Sequence, residues 1–230
     1  MTWWMVDLLI MLIYGLQHTV LTTKVLVKVY NAVFPAWSWN ISYSLFSVLI
    51  LVIGFRFWQS SGIYLYHFIP GSISYHISTI LLAASLFFFF YCFKYTTSFW
   101  QWLGVRQLAA RLNNEKMPAY YRIRQQGIKR YIRFPHHTCL IVLFWTHPVM
   151  TLDTLLLAIG ATIYLYLGTY HQDLRGLAMI GPTWQEYRNN TCLLIPTPKV
   201  LVRMYRDLFG GAEPQPEDSA RNAVETHPSH

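Results

Sequence analysis

The stretch Ile-Ser-Thr-Ile-Leu-Leu-Ala-Ala-Ser-Leu-Phe-Phe-Phe-Phe-Tyr-Cys-Phe, residues 77–93, decides the fold of this chain. It holds no charged residue, and its apolar side chains point in every direction around a helix. A helix that is hydrophobic all round is buried in a large core or in a bilayer. A chain of 230 residues has no core that large, and only 12% of its residues are charged while 54% are hydrophobic. Soluble domains carry about 25% charged residues, so the solvent implied here is lipid.

Working outward, a membrane-crossing helix needs about 20 mostly apolar residues. Candidate spans are read at about 4–21, 37–58, 77–97, 131–147 and 152–170. The fold class expected is an all-α polytopic membrane bundle of about five transmembrane helices. It forms one domain over 1–209, followed by a Pro/Glu/Ser-rich tail, 210–230, whose composition predicts disorder. Aromatics make up 17% of the chain, with 9 Trp and 16 Tyr, as suits two membrane interfaces. The first apolar run lacks a basic leader and a small-residue cleavage site, so it reads as a retained helix. Pro148, between the fourth and fifth runs, marks a tight turn.

The net charge of +8 would suit nucleic acid on a soluble fold. Here the Lys and Arg residues flank apolar runs instead, so they set topology and exclude a nucleic-acid partner. The loop 101–133 carries Arg106, Arg111, Lys116, Arg122, Arg124, Lys129, Arg130 and Arg133 against a single acid, Glu115. Placing it in the cytoplasm puts Lys24, Lys28, Arg175, Arg188, Lys199, Arg203 and Arg206 on the same side. The N-terminus is then outside and the C-terminus inside. The loop itself reads as a solvated segment touching anionic membrane lipid, without the Gly-rich cradle of a nucleotide site. Cys92, Cys139 and Cys192 form neither a disulfide framework nor a zinc signature.

Ionisable residues inside spans suggest function by default. That topology brings His18, His136, His137 and His171 to one depth near the cytoplasmic face. Each is read either as an interfacial residue with a hydrogen-bonded neighbour or as a ligand of a metal or haem b. His136 and His137 diverge by about 100° on a helix, so at most one of them would serve a given centre.

The C-terminal third resembles a membrane methyltransferase superfamily. Its members include isoprenylcysteine carboxyl methyltransferase, bacterial methanethiol S-methyltransferase, nurim and the NnrU-type proteins. The residues that carry the resemblance are Arg133-Phe134-Pro135, Trp145, Pro148-Val149-Met150-Thr151 and Tyr164, then Gln172-Asp173, Gly181 to Tyr187, and Pro196. Gln17-His18-Thr19 and Leu103-Gly104-Val105-Arg106-Gln107 look most like the methanethiol S-methyltransferase branch. The likeness covers about residues 10–200. The family motif has His where this chain has Phe134, and a Glu pair where it has Gln172-Asp173.

The resemblance implies that S-adenosylmethionine binds at the cytoplasmic side and a small thiol or lipophilic acceptor enters from the bilayer. Asp173 and Arg188 are then the catalytic candidates. Arg133, Pro135, Gln172, Tyr187, Arg106 and Gln107 would frame the cofactor, in a bacterial inner membrane. Two other readings stand beside it. In the first, an NnrU-type protein holds haem b through His18 and one of His136, His137 or His171. In the second, a non-catalytic subunit of a membrane complex has lost its cofactor site, as the Phe134 and Gln172 replacements suggest.

Overall fold

The protein, described from a computed structural model over residues 2–95, 99–117 and 125–209, is a helical membrane bundle closed by one small sheet. The expected tail 210–230 and part of the basic loop, 118–124, lie outside the described residues. In chain order the helices are α1 (Trp3–Leu21), α2 (Lys24–Val33), α3 (Trp39–Phe57), α4 (Ile73–Cys92), α5 (Phe99–Trp102), α6 (Val105–Leu112), α7 (Pro135–Trp145), α8 (Leu152–Ile180), α9 (Pro182–Asn190) and α10 (Pro198–Phe209). Two strands, β1 (Tyr64–His67) and β2 (Val149–Thr151), pair antiparallel.

Four segments are long and apolar enough to cross a bilayer: Trp3–Leu21, Ala36–Phe57, Ile73–Cys92 and Leu152–Ile180. Only 6% to 17% of their residues are buried against neighbours, so their apolar faces need lipid as solvent. What they do turn inward is small or polar. Asp7, Ser47, Ser78 and Ser85 are buried, as expected where lipid removes the hydrophobic drive between helices and close packing replaces it. Gly54 faces Ile10, and Gly15 faces the ring of Tyr164, which brings α1 against α3 and α8.

The fourth expected span is corrected in length. α7 has only 11 residues, about 16 Å at 1.5 Å per residue, and cannot cross a hydrocarbon core of about 30 Å unaided. Its path still crosses. α7 begins beside the end of α4, where His136 lies 6.1 Å from Phe93. It leads into β2, whose partner β1 joins the opposite ends of α3 and α4. Ser78 of α4 donates to the Thr146 carbonyl just past α7. Extended chain completes the crossing, and the sheet satisfies its backbone.

The last span is also longer than its apolar run. α8 has 29 residues, about 43 Å, so its final turns project past the hydrocarbon. Asp173 lies about 31 Å from its start, at that edge. The segment 60–76, between the second and third expected spans, holds β1 and the first turn of α4, which Ser72 caps through the Tyr75 amide at 3.2 Å. At this sheet end, Asp153 accepts from the Ser61 amide at 2.9 Å, its hydroxyl at 2.7 Å and Trp58 Nε1 at 3.3 Å. Asp7 accepts from the Gln59 amide at 2.9 Å. Two buried carboxylates thus fasten the turn after α3.

Candidate active site

At the opposite end, three segments distant in sequence are drawn together. The chain before α7 runs beside the chain after α9: the Arg133 amide donates to the Cys192 carbonyl at 2.8 Å, and the Cys192 amide to the Tyr131 carbonyl at 2.8 Å. Pro135 occupies the first turn of α7, where its missing N–H leaves nothing unpaired. Arg133 is thereby aimed at the end of α8 rather than along α7.

α8 stops at Gly181, whose φ of 70° and ψ of −134° suit glycine. Pro182 starts α9 in the reverse direction. This folds Trp184 and Tyr187, three residues apart on one face of α9, back onto α8. The indole packs against Gly176, where a Cβ would lie 2.5 Å from its ring. Both aromatic side chains are buried.

Asp173 is the centre of the arrangement. It is 1% exposed, with Arg133 Nε 3.0 Å from Oδ1 and Arg188 Nε 2.9 Å from Oδ2. Trp184 Nε1 donates to Oδ1 at 3.0 Å. The Arg133 guanidinium also donates to the Thr191 carbonyl at 2.6 Å, the Thr191 hydroxyl at 3.1 Å and the Arg188 carbonyl at 3.1 Å. Burial draws the Arg133 pKa below its ordinary value, and the neighbouring Asp173 carboxylate opposes this. Tyr187 donates to the Lys129 carbonyl at 2.9 Å. Burial pushes its pKa upward, so it stays protonated as a donor.

The clasp contains Arg133, Asp173, Tyr187 and Arg188 of the expected set. Pro135 stands beside it, buried. Gln172 is exposed, a helical step away from Asp173. Arg106 is exposed on α6, and Gln107 is buried there, donating to the Gln101 carbonyl at 3.1 Å. α6 packs against the turn Ala36–Ser38 that precedes α3, and Gly104 (φ 86°), just before α6, is pressed to Ile41 of α3. Trp184, Thr191 and the Lys129 carbonyl were not singled out from sequence. Trp184 lay within the resembling segment Gly181 to Tyr187 but was given no role there, whereas Thr191 had no signal.

Of the four histidines, His171 stands apart. His18 contacts the Tyr43 hydroxyl at 2.6 Å and stacks on Tyr14 at 5.6 Å. His137 Nδ1 meets the Thr169 hydroxyl at 2.7 Å. The rings of His136 and His137 lie 4.2 Å apart despite their divergent helical positions. Phe134, at the position of the motif His, stacks on His137 at 5.9 Å and 6°. His171 is exposed and does not join them. Among the described residues no group of three or more His, Cys, Asp or Glu side chains could hold a metal ion.

The sequence is 24% identical over 193 residues to the methanethiol S-methyltransferase of Pseudomonas deceptionensis, covering 84% of this chain and 72% of that protein. The enzyme of the same name from Crocosphaera subtropica is 25% identical over 205 residues, covering 84% and 74%. The chain resembles the membrane methyltransferases. A shorter stretch of 69 residues, 30% of this chain, is 36% identical to the methanethiol S-methyltransferase of Mycobacterium tuberculosis and covers 28% of that protein. No family model matches the sequence, and no solved structure matches it. The protein is thus an integral membrane, methyltransferase-like helical bundle.

Proposed function

We propose that the protein transfers a methyl group from S-adenosylmethionine to a small thiol at the end of the bundle that holds the clasp. The observation that carries this reading is the clasp itself. Arg133-Phe134-Pro135, Asp173 and the segment from Gly181 to Tyr187 are among the parts that resemble the methyltransferases, and one buried carboxylate ties them together, with Arg188 as a further partner.

The residues present fit a cofactor bearing both a carboxylate and an amino group. Arg188 is 24% exposed, and beyond Asp173 its side chain makes, among the described residues, only a 3.5 Å contact with Gln185, so it can pair with the carboxylate. His136 Nδ1 and Gln107 Oε1 are buried with no hydrogen-bond partner among the described residues. Both are atoms a polar ligand would satisfy. When bound, S-adenosylmethionine supplies an electrophilic methyl carbon on a sulfonium. The thiol sulfur forms the new C–S bond as the sulfonium C–S bond breaks, and the thiol proton leaves to solvent. Products are a thioether and S-adenosylhomocysteine.

Such a displacement depends mainly on alignment and exclusion of water. Arg133 and Asp173, fully engaged with each other and with Thr191 and Trp184, act as positioning residues that fix α7, α8 and α9. A small apolar cavity of about 60 Å³ among Ile10, Tyr14, Ile50, Gly54 and Leu157 opens within the span. It lies toward the sheet end, with Leu157 about 24 Å along α8 from Asp173, and so is separate from the clasp. The Lys and Arg bias supports a cytoplasmic side for this end, and the bacterial relatives support an inner membrane.

The test is calorimetric titration of the purified protein with S-adenosylmethionine. Binding is expected, weakened about tenfold or more by Arg188→Gln in a protein whose thermal midpoint is little changed. Absence of binding at millimolar ligand would overturn the reading.

A further inference from the structure

A second concave site lies on another side of α8. Arg175 follows Asp173 by two positions, about 200° around the helix, so it points away from the clasp. It faces α2 across an open cleft of about 710 Å³, lined also by Thr22, Lys24, Lys28 and Asn31. No acidic residue lines this cleft. None of the three cations has an ion pair or hydrogen bond among the described residues. Three positive charges from two separate elements therefore line one cleft, which suits an anion.

α2 indicates what kind. It begins just past the end of α1, after Thr22 and Thr23, so it lies where the chain leaves the hydrocarbon. Val25, Val29 and Val33 form a stripe that is 74%, 58% and 75% exposed. This stripe runs beside the row of Lys24 and Lys28 rather than opposite it, since successive residues turn by about 100°. A helix with an apolar stripe next to a cation row lies in the plane of a membrane interface, with acyl chains on one side and headgroups on the other.

We propose that this cleft seats the phosphate of an anionic phospholipid headgroup. Lys24, Lys28 and Arg175 surround the phosphate, Thr22 and Asn31 supply neutral hydrogen bonds, and the acyl chains lie along the valine stripe. The site is independent of methyl transfer. A zwitterionic headgroup would bring its own cation into the same basic cleft and bind less well.

The full-length protein in neutral detergent would be titrated with short-chain phosphatidylglycerol, with short-chain phosphatidylcholine and with inorganic phosphate, reading retained ligand by native mass spectrometry. Phosphatidylglycerol is expected to bind at least tenfold more tightly than phosphatidylcholine. Each of Lys24→Gln, Lys28→Gln and Arg175→Gln should weaken it about fivefold, the effect of one interfacial charge. The triple variant should lose the preference, while Arg111→Gln on the exposed face of α6 should keep it. A thermal melt confirms that each variant is folded. Equal binding of the two lipids, or a preference that survives in the folded triple variant, would overturn the proposal. Inorganic phosphate binding as tightly as phosphatidylglycerol would also overturn it, by making this a free-anion site.

Discussion

Asp173→Asn removes one charge and almost no volume from the most constrained point of the clasp. In the native protein its carboxylate neutralises Arg133, whose side chain is 8% exposed, and Arg188, at 24%. Asparagine can still accept from Trp184, so the chief loss is electrostatic. Breaking a buried ion pair by removing one partner costs about 3–5 kcal/mol, because the other charge stays buried and uncompensated. Arg133 meets that description, since Thr191 and the Arg188 carbonyl satisfy its hydrogen bonds without balancing its charge. Arg188 can turn toward solvent and adds under about 1 kcal/mol. The loss should appear as local opening of α9 and of the strand-like contact at Cys192, with the spans intact. Hydrogen exchange read by mass spectrometry is the suitable assay. Amides of α9 should exchange at least about a hundredfold faster, the effect of 3 kcal/mol. Arg188→Gln alone should change them less than about fivefold. If α9 in Asp173→Asn stays within fivefold of wild type, the clasp is not what holds this end together.

Gly176→Val would drive a branched side chain into the Trp184 indole, where even a Cβ has 2.5 Å. A loss of about 2 kcal/mol or more is expected, read as a lower thermal midpoint, and an unchanged midpoint would contradict the packing described. Asp153→Asn weakens three hydrogen bonds at the sheet end, and bonds to a charged acceptor are worth about 1.5–3 kcal/mol. Limited proteolysis in the segment 59–63 should therefore accelerate, with α9 unaffected. Phe134→His restores the ring found in the methyltransferase motif. It should tighten S-adenosylmethionine binding at least fivefold in calorimetry, and weaker binding would show that Phe134 is the better fit here.

The spans were legible because apolar run length is a direct physical demand of the bilayer. The run from Leu152 reads to Tyr170, yet α8 continues to Ile180, since hydropathy marks where lipid ends rather than where the helix does. α4 starts earlier than its apolar run because Ser72 caps it. α2 was missed: its apolar and basic residues look like a span flank until the helical turn separates Val25, Val29 and Val33 from Lys24 and Lys28. At the clasp, Arg133, Asp173, Tyr187 and Arg188 were named from the resemblance. Their mutual pairing was not, because contacts across 40 and 15 positions depend on the reversal at Gly181 and the pairing of residues 131–134 with 191–194. The side that His171 faces was not legible for a related reason. Shared depth on a helix does not fix the side it faces, and His171 faces outward while Asp173, two residues on, faces in.

Methyl transfer itself tests the central claim most directly. The protein would be reconstituted in liposomes, supplied with S-adenosylmethionine carrying a labelled methyl group and with methanethiol, and the headspace assayed for labelled dimethyl sulfide. Production that depends on protein, and that falls at least tenfold in a folded Arg188→Gln variant, is the predicted result. No labelled thioether above the protein-free control, from protein shown to be folded, would contradict the account.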